Sequence, residues 1–332
     1  MTITLQLVLA FVISLAVTVV SGLYIIPALR KAKAGQAIRE DGPVWHMTKQ
    51  GTPTMGGIMF ILGIAVACVV AGYLCIRSGD LTHLYIFAFA LIYGAIGFLD
   101  DYEKLKKKQN LGLTAGQKFI LQLVVAVAFI LLMRLTGRLT PNLYIPFFNV
   151  TVALPEVVYF ILAAFIIVGA VNAVNLTDGI DGLVSGVSLP VALCYAALAF
   201  VWSYSSVGVF AAALAGGLLG FLVFNYHPAK IFMGDTGSLF LGGAVCALAF
   251  AMDMPLILVP LGIIYICETL SDIIQVAYFK LTHGKRIFKM APLHHHFEMC
   301  GWSEYKLFWV FTAVSAVFAV ISYFAVHNRY GI

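Results

Sequence analysis

The chain has 332 residues, of which 62% are hydrophobic and only 11% are charged, and its mean hydropathy is +0.99. Because soluble domains are about a quarter charged, this composition excludes a water-soluble enzyme. The net charge of +5 is concentrated in short loops, which excludes a nucleic-acid-binding domain. Apolar runs of about twenty residues recur along the chain and predict a polytopic helical membrane protein.

The charge-free runs, taken in chain order, predict ten membrane-spanning helices. Residues 182–229 are too many for one span, since about 20 suffice, and Ser203, Ser205 and Ser206 mark the turn between two helices. The predicted spans are residues 1–29, 51–76, 81–99, 117–135, 157–177, two within 182–229, 236–252, 255–279 and 307–328.

The placement of Lys and Arg orients these helices. With the N-terminus outside, 16 of the 20 Lys and Arg residues fall in inner loops and 4 in outer segments, as the positive-inside rule requires. We therefore expect both termini on the outer side and five cytoplasmic loops. Because positive charge follows the first apolar run, at Arg30 and Lys31, that run is expected to be a span and not a signal peptide. The prediction is a single all-α membrane domain, residues 1–332.

The acidic residues concentrate in the same inner loops, although orientation alone would need only Lys and Arg. Carboxylates placed among lysines indicate a divalent cation and an anionic ligand at the inner surface, so the active site is expected on the cytoplasmic face. Ten of the 15 acids lie there: Glu40, Asp41, Asp100, Asp101, Glu103, Asp178, Asp181, Asp235, Glu298 and Glu304.

Two strings of residues flank spans near these charges. Residues 51–57 have the sequence GTPTMGG and follow Lys49 by two residues. Free amides at a helix start would make an anion site there, and close helix packing is the alternative role of the glycines. Asp100 and Asp101 end the third span, where two adjacent carboxylates are best tolerated if a hard cation such as Mg²⁺ shares them. The alternative is a solvated helix end, although carboxylates there oppose the macrodipole.

A third string places Asn175, Asp178 and Asp181 at intervals of three, so their side chains are expected on broadly one side. The loop contains no Lys or Arg, so topology does not explain it, and the alternative is a capping and turn role. In the fourth string, Asp235 starts the eighth span with Thr236 and Ser238 beside it. A simple N-cap explains only one of these polar groups.

The loop between the ninth and tenth spans contains three consecutive histidines, His294 to His296. Three adjacent imidazoles cannot all face one metal, and the H-E-x-x-H spacing of zinc sites is missing from the sequence. Hydrogen bonding to phosphate, or orientation of a carboxylate, is therefore favoured over zinc binding. A solvated tract is the remaining alternative.

The strings GTPTMGG, FLDDYEK, NAVNLTDGIDGL, FMGDTGSL and PLHHHFE occur in this order within residues 45–300 and resemble the phospho-N-acetylmuramoyl-pentapeptide transferase family. The first and last are more like this branch of the polyprenyl-phosphate N-acetylhexosamine-1-phosphate transferases than the GlcNAc-1-phosphate branch. The resemblance implies ten helices in a bacterial plasma membrane and a role in peptidoglycan synthesis. The implied reaction converts undecaprenyl phosphate and UDP-MurNAc-pentapeptide into lipid I and UMP with Mg²⁺. A homodimer is also implied.

The resemblance implies roles residue by residue. Asp235 and Asp100 would bind the metal, although Asp100 could equally act as a base or orient the lipid phosphate, and these alternatives stay open. The implied catalytic residues are Asp100, Asp101, Asp235 and His294. The implied substrate-binding residues are Lys49, Thr54, Lys104, Asn175, Asp178, Gly179, Ile180, Asp181, Asn225, Phe232, His295 and His296, with Gly179, Ile180 and Phe232 near the uracil.

Two other functions fit parts of the sequence. A GlcNAc-1-phosphate transferase would share the aspartates. A secondary transporter could relay ions through Glu268 and Asp272, which lie within the ninth span, but the paired interrupted halves typical of transporters are missing from the sequence. We expect these two acids to face a groove beside the lipid chain instead.

Overall fold

A computed structural model describes residues 2–32, 49–107, 109 and 112–330. Glu40 and Asp41, two of the predicted acidic loop residues, lie outside the described residues. In the described ranges the α-helices are α1 Ile3–Lys31, α2 Gly57–Val70, α3 Tyr73–Arg77, α4 Thr82–Lys107, α5 Ala115–Leu135, α6 Glu156–Thr177, α7 Leu183–Val201, α8 Ser205–Asn225, α9 Gly234–Ala251, α10 Leu258–Leu261, α11 Ile263–Leu281, α12 Leu293–Glu298 and α13 Glu304–Val326.

The prediction of a multi-pass helical membrane protein is confirmed, whereas the count of ten spans is not. Eight helices in the described ranges are long and apolar enough to cross a membrane. A ninth span is formed if residues 255–281 count as one, although this segment bends by 80° where α10 meets α11. Pro260 lies just before the bend and has no backbone N–H to continue the helix.

The predicted second span is interrupted, which accounts for the remaining difference. Residues 51–56 form an irregular loop, and the helix then breaks between Val70 and Tyr73, leaving α2 with 14 residues. The ring of the buried His83 lies beside this break, where a Cβ at Gly72 would lie 2.5 Å from its Nε2 atom. The sequence pattern showed one continuous apolar run because every residue around the break is uncharged.

A small hairpin is an exception to the all-α prediction. Strands β1 (Asn142–Ile145) and β2 (Val150–Ala153) pair antiparallel in the connection between α5 and α6, with Asn142 opposite Ala153. The tight turn between them places Phe147 and Asn149 at positive φ. Each strand has only four residues, which are too few for an alternation of apolar and polar side chains to be recognised in the sequence.

Helices α8 and α9 form the centre of the molecule and are almost wholly buried. Helix α4 packs against α9, α1 packs against α8 and α2, and α7 packs against α8 and α13. In contrast α1, α5 and α13 expose apolar side chains along one side, as expected for helices that face lipid. This arrangement brings the ends of α4 and α6 to the start of α9.

Glycine permits the close approach of α4 to α9. A Cβ at Gly97 would overlap the backbone carbonyl group of Asp235, so the two backbones come together as small-residue helix contacts do in membranes. A Cβ at Gly57, at the start of α2, would likewise overlap Gly237 of α9.

We expect Gly97→Ala to destabilise the protein by about 1–3 kcal/mol, because the added methyl group must displace the start of α9. Its melting temperature in detergent is expected to fall below that of the wild type. The matched control is Gly169→Ala in α6, where a Cβ meets nothing within 4 Å, and which should melt at or above the wild-type temperature. Equal melting of the two variants would contradict the close contact.

Candidate active site

Three carboxylates meet where α4 reaches the start of α9. Asp100 and Asp101 lie in the last two turns of α4, and Asp235 lies in the first turn of α9. One oxygen from each carboxylate lies within 4.8 Å of the others, so together they could hold a metal ion. Asp100 and Asp101 are buried, and Asp235 is partly exposed. The structure thus brings together two strings that the sequence separates by more than 130 residues.

Asp101 caps the N-terminus of α9 from a neighbouring helix. Its Oδ1 accepts a hydrogen bond from the backbone N–H of Asp235 at 3.1 Å. Its Oδ2 accepts from the backbone N–H of Thr236 at 2.9 Å and from the Thr236 hydroxyl at 2.7 Å. These donors would otherwise lack partners, and an anion there also favours the helix dipole. Because both oxygens bind the first turn of α9, we interpret Asp101 as a group that positions α9. Asp100 uses Oδ1 to accept from the backbone N–H of Leu113 at 2.8 Å, and its Oδ2 faces the lysines.

Two lysines bridge the other two carboxylates. Nζ of Lys104 lies 2.6 Å from Oδ2 of Asp100 and 2.9 Å from Oδ2 of Asp235. Nζ of Lys118 lies 3.1 Å and 2.6 Å from the same two atoms. With Asp101 included, three carboxylates and two ammonium groups leave this cluster with one formal negative charge, so it can accept a divalent cation and an anionic substrate together.

Lys118 was missed as a site residue by the sequence reasoning. It lies in the first turn of α5, inside the predicted span 117–135, and was counted only as a topology signal. A charged residue within an apolar span is itself an indication of function, and this signal could have identified Lys118.

The string around Asn175 adjoins the same cluster. The amide of Asn175 donates to Oδ1 of Asp235 at 3.0 Å and to the hydroxyl of Ser238 at 2.7 Å. Asp178 follows the end of α6, where burial and the nearby carboxylates of Asp235 and Asp101 raise its pKa to about 8. Both residues therefore lie on the side of the cluster formed by the end of α6.

Asp181 belongs to a second cluster around Lys49. Nζ of Lys49 lies 2.8 Å from Oδ1 of Asp181 and 2.7 Å from the carboxylate of Glu304. Oδ2 of Asp181 accepts from the backbone N–H of Ala229 at 3.0 Å and lies 2.9 Å from Nδ1 of His227. The sequence did not predict roles for Glu304 or His227, because neither lies in a distinctive string and their partners are distant in the chain.

The prediction of free amides in the GTPTMGG string is wrong for Gly56 and Gly57. The N–H groups of Gly56 and Gly57 donate to the carbonyl groups of Phe232 and Met233 at 2.9 and 3.0 Å. The carbonyl of Pro53 accepts in turn from the N–H of Phe232 at 2.8 Å. The alternative, that the glycines permit close packing, agrees with the contact of α2 with α9. The string therefore holds the loop before α9 in place.

The remaining predicted binding residues lie in or beside these loops. Thr54 is buried, with its hydroxyl oxygen 2.8 Å from where a Cβ at Gly234 would lie. Asn225 is buried at the end of α8 and donates to the carbonyl of Ile231 at 2.9 Å. Gly179 is exposed, whereas Ile180 is packed in the core with 5% of its surface exposed. The predicted contacts of these residues with substrate stay predictions.

The three histidines contact three separate partners in the short helix α12. Nδ1 of His294 lies 3.0 Å from Oε2 of Glu268, and Nδ1 of His295 lies 2.7 Å from Oε2 of Glu298. His296 accepts from the backbone N–H of Lys289 at 3.1 Å. Because His294 is buried, the solvated-tract alternative is wrong for this residue.

The expectation that Glu268 faces a groove beside the lipid chain is also wrong. Only 1% of Glu268 is exposed, and its carboxylate faces His294. A buried carboxylate needs a polar partner, and His294 of the short helix α12 is that partner. Asp272, four residues later, is partly exposed.

Comparisons with known proteins match the segments in which several of these residues lie. Residues 83–253, about half of the chain, match the family model described as glycosyl transferase family 4. Residues 49–61 match the phospho-N-acetylmuramoyl-pentapeptide-transferase signature 1. These two segments contain Lys49, the GTPTMGG string and the three clustered aspartates.

Relatives named phospho-N-acetylmuramoyl-pentapeptide-transferase align with nearly the whole chain. The protein of Geobacillus thermodenitrificans is 48% identical over 317 residues, covering 95% of this chain and 96% of its own length. The protein of Listeria monocytogenes serotype 4b is 46% identical over 317 residues, covering 96% and 97%. The protein of Heliobacterium modesticaldum is 48% identical over 316 residues, covering 95% and 96%. The chain belongs to the phospho-N-acetylmuramoyl-pentapeptide-transferase family.

Proposed function

We propose that the protein transfers phospho-MurNAc-pentapeptide from UDP-MurNAc-pentapeptide to undecaprenyl phosphate, releasing UMP and forming lipid I in the bacterial plasma membrane. The names of the relatives and the signature at residues 49–61 support this branch of the superfamily over the GlcNAc-1-phosphate branch. Such a reaction joins a membrane lipid to a soluble anionic donor, so its site must lie at the end of membrane helices.

The observation that carries the proposal is the cluster in which Lys104 and Lys118 bridge Asp100 and Asp235. Phosphoryl transfer needs charge neutralisation and placement of the reacting groups more than it needs a covalent nucleophile. The two ammonium groups can move from carboxylate to phosphate oxygens when substrate arrives. Asn175, which donates to Asp235, limits the orientations open to that carboxylate.

The same residues fit a magnesium ion. Asp100 and Asp235 would hold it, because carboxylate oxygens are the hard ligands that Mg²⁺ prefers and the cluster keeps one uncompensated negative charge. When bound, the ion would neutralise charge on the diphosphate during transfer. Asp100 is placed equally well to orient the lipid phosphate or to act as a base.

The nucleotide sugar is proposed to bind over the loops that follow α6 and α8. Lys49 and Asp181 form one side of this region, with Asp178, Gly179, Ile180, Asn225 and Phe232 on the adjoining loops. Thr54, His295 and His296 complete the proposed contacts, whereas His294, with 1% of its side chain exposed, is proposed to lie behind the 178–181 loop. Gly179 is the exposed member of the 178–181 loop, which suits close approach of a ligand to the backbone.

We expect purified protein in detergent to release UMP from UDP-MurNAc-pentapeptide when undecaprenyl phosphate and Mg²⁺ are present. UDP-GlcNAc should neither serve as donor nor compete at equal concentration, because it lacks the lactyl-pentapeptide group. Release of UMP measured with each donor separately checks this. Efficient turnover of UDP-GlcNAc would assign the protein to the other branch.

The proposed topology has ten spans, with both termini outside and the motif loops on the cytoplasmic side. It counts α2 with α3, and α10 with α11, as one span each. A cysteine introduced at Gln109 or Lys285 should resist an impermeant thiol label in intact cells, whereas one at Gly79 should react. Labelling of either inner position from outside would contradict this orientation.

We expect Asp235→Asn to lower the rate of UMP release on the order of a hundredfold or more, because the amide keeps size and hydrogen bonding but removes the charge that the metal needs. Added Mg²⁺ should rescue the rate only partly. The variant should fold, since the capping contacts at Asp235 use its backbone N–H. Near wild-type turnover in folded Asp235→Asn would contradict the proposal that Asp235 is a metal ligand.

A further inference from the structure

Glu268 and His294 form a buried pair, and the proposed function gives Glu268 no role. Each has 1% of its side chain exposed, and Oε2 of Glu268 lies 3.0 Å from Nδ1 of His294. The same oxygen lies 3.4 Å from the backbone nitrogen of His294. The glutamate lies in α11 and the histidine in α12, so the pair fixes the position of α12 against a membrane helix.

The pair also fixes the orientation of the imidazole ring. When Glu268 is ionised its carboxylate only accepts hydrogen bonds, and Nδ1 of His294 is then the nitrogen that donates. The ring therefore directs Nε2 away from Glu268. This is the arrangement in which a carboxylate sets the orientation and tautomer of a histidine in catalytic and metal sites.

Nε2 of His294 is directed at the 178–181 loop. A Cβ at Gly179 would overlap this nitrogen, so the ring packs directly against the glycine backbone and only glycine fits there. Nε2 is buried and has no hydrogen-bond partner within the described part of the chain. Most buried polar side-chain atoms in proteins have a hydrogen-bond partner, so an unpaired one calls for an explanation such as a functional role.

We propose that Glu268 is a positioning residue. It holds the ring of His294 against Gly179 and thereby fixes the position of the 178–181 loop, which receives the nucleotide sugar. Because so little of His294 is exposed, the pair acts on the donor through the loop. This inference rests on the proposed function, since it gives the 178–181 loop to the nucleotide sugar. The lipid phosphate site at Asp100 should be unaffected.

The test measures binding of UDP-MurNAc-pentapeptide by calorimetry, together with the KM for undecaprenyl phosphate. In Glu268→Gln the Kd for the nucleotide sugar should rise roughly tenfold to a hundredfold, as for other partners that orient a functional histidine, while the KM for the lipid stays unchanged. The control is Glu156→Gln, which removes a half-exposed carboxylate paired with Arg134 and should alter neither value.

A double-mutant cycle separates positioning from general stabilisation. If Glu268 acts through the ring, Glu268→Gln should add no further loss of binding to His294→Ala, whereas independent effects would add. If the glutamine variant does not fold, the same cycle is made with Glu268→Asp, which keeps the charge but withdraws the carboxylate. Additive losses, an unchanged Kd, or a loss confined to kcat would overturn the inference. A wild-type protein that binds the nucleotide sugar but releases no UMP would instead contradict the proposed function.

Discussion

The carboxylate of Asp101, bound to the first amides of α9, is the interaction on which the site depends. It accepts three hydrogen bonds from Asp235 and Thr236 and ties the end of α4 to the start of α9. Gly97, one turn earlier, removes the side chain that would keep these helices apart. Because the two helices cannot shift independently, Asp100 and Asp235 are held at a fixed separation beside the lysines.

The charges around this contact are divided between two clusters. Around Asp100 and Asp235, two lysines leave an excess of negative charge suited to a cation and a phosphate group. Around Asp181, Lys49 is shared with Glu304 and His227 lies close by, so with the histidine uncharged the second cluster also keeps one formal negative charge. The 178–181 loop lies between the two clusters. The ring of His294, which contacts Glu268, packs against this loop at Gly179. We propose that a donor with both a nucleotide and a diphosphate contacts the two clusters together.

Much of the fold followed from the sequence, because long charge-free runs report directly on burial in lipid. The break at Gly72 and the bend near Pro260 were missed, since a hydropathy pattern does not register interruptions within an apolar run. The aspartate strings were recognisable because each is compact. Lys118, His227 and Glu304 were not assigned, and Glu268 was expected to face a groove, because each of these residues contacts a partner that is distant in the chain. The N–H groups of the GTPTMGG string were expected to be free, but those of Gly56 and Gly57 donate to the carbonyl groups of residues 232 and 233.

Thermal unfolding of Asp101→Asn in detergent, compared with Asp100→Asn, tests the central claim most directly. Asn in place of Asp101 presents an amide group to the N–H donors of α9 and weakens a cap worth about 0.5–2 kcal/mol. The account predicts a lower melting temperature for Asp101→Asn than for Asp100→Asn. In the latter the amide oxygen can still accept from the backbone N–H of Leu113, although the ion pairs with Lys104 and Lys118 are lost. If Asp101→Asn melts like the wild type while Asp100→Asn is destabilised, Asp101 does not hold α9 in place.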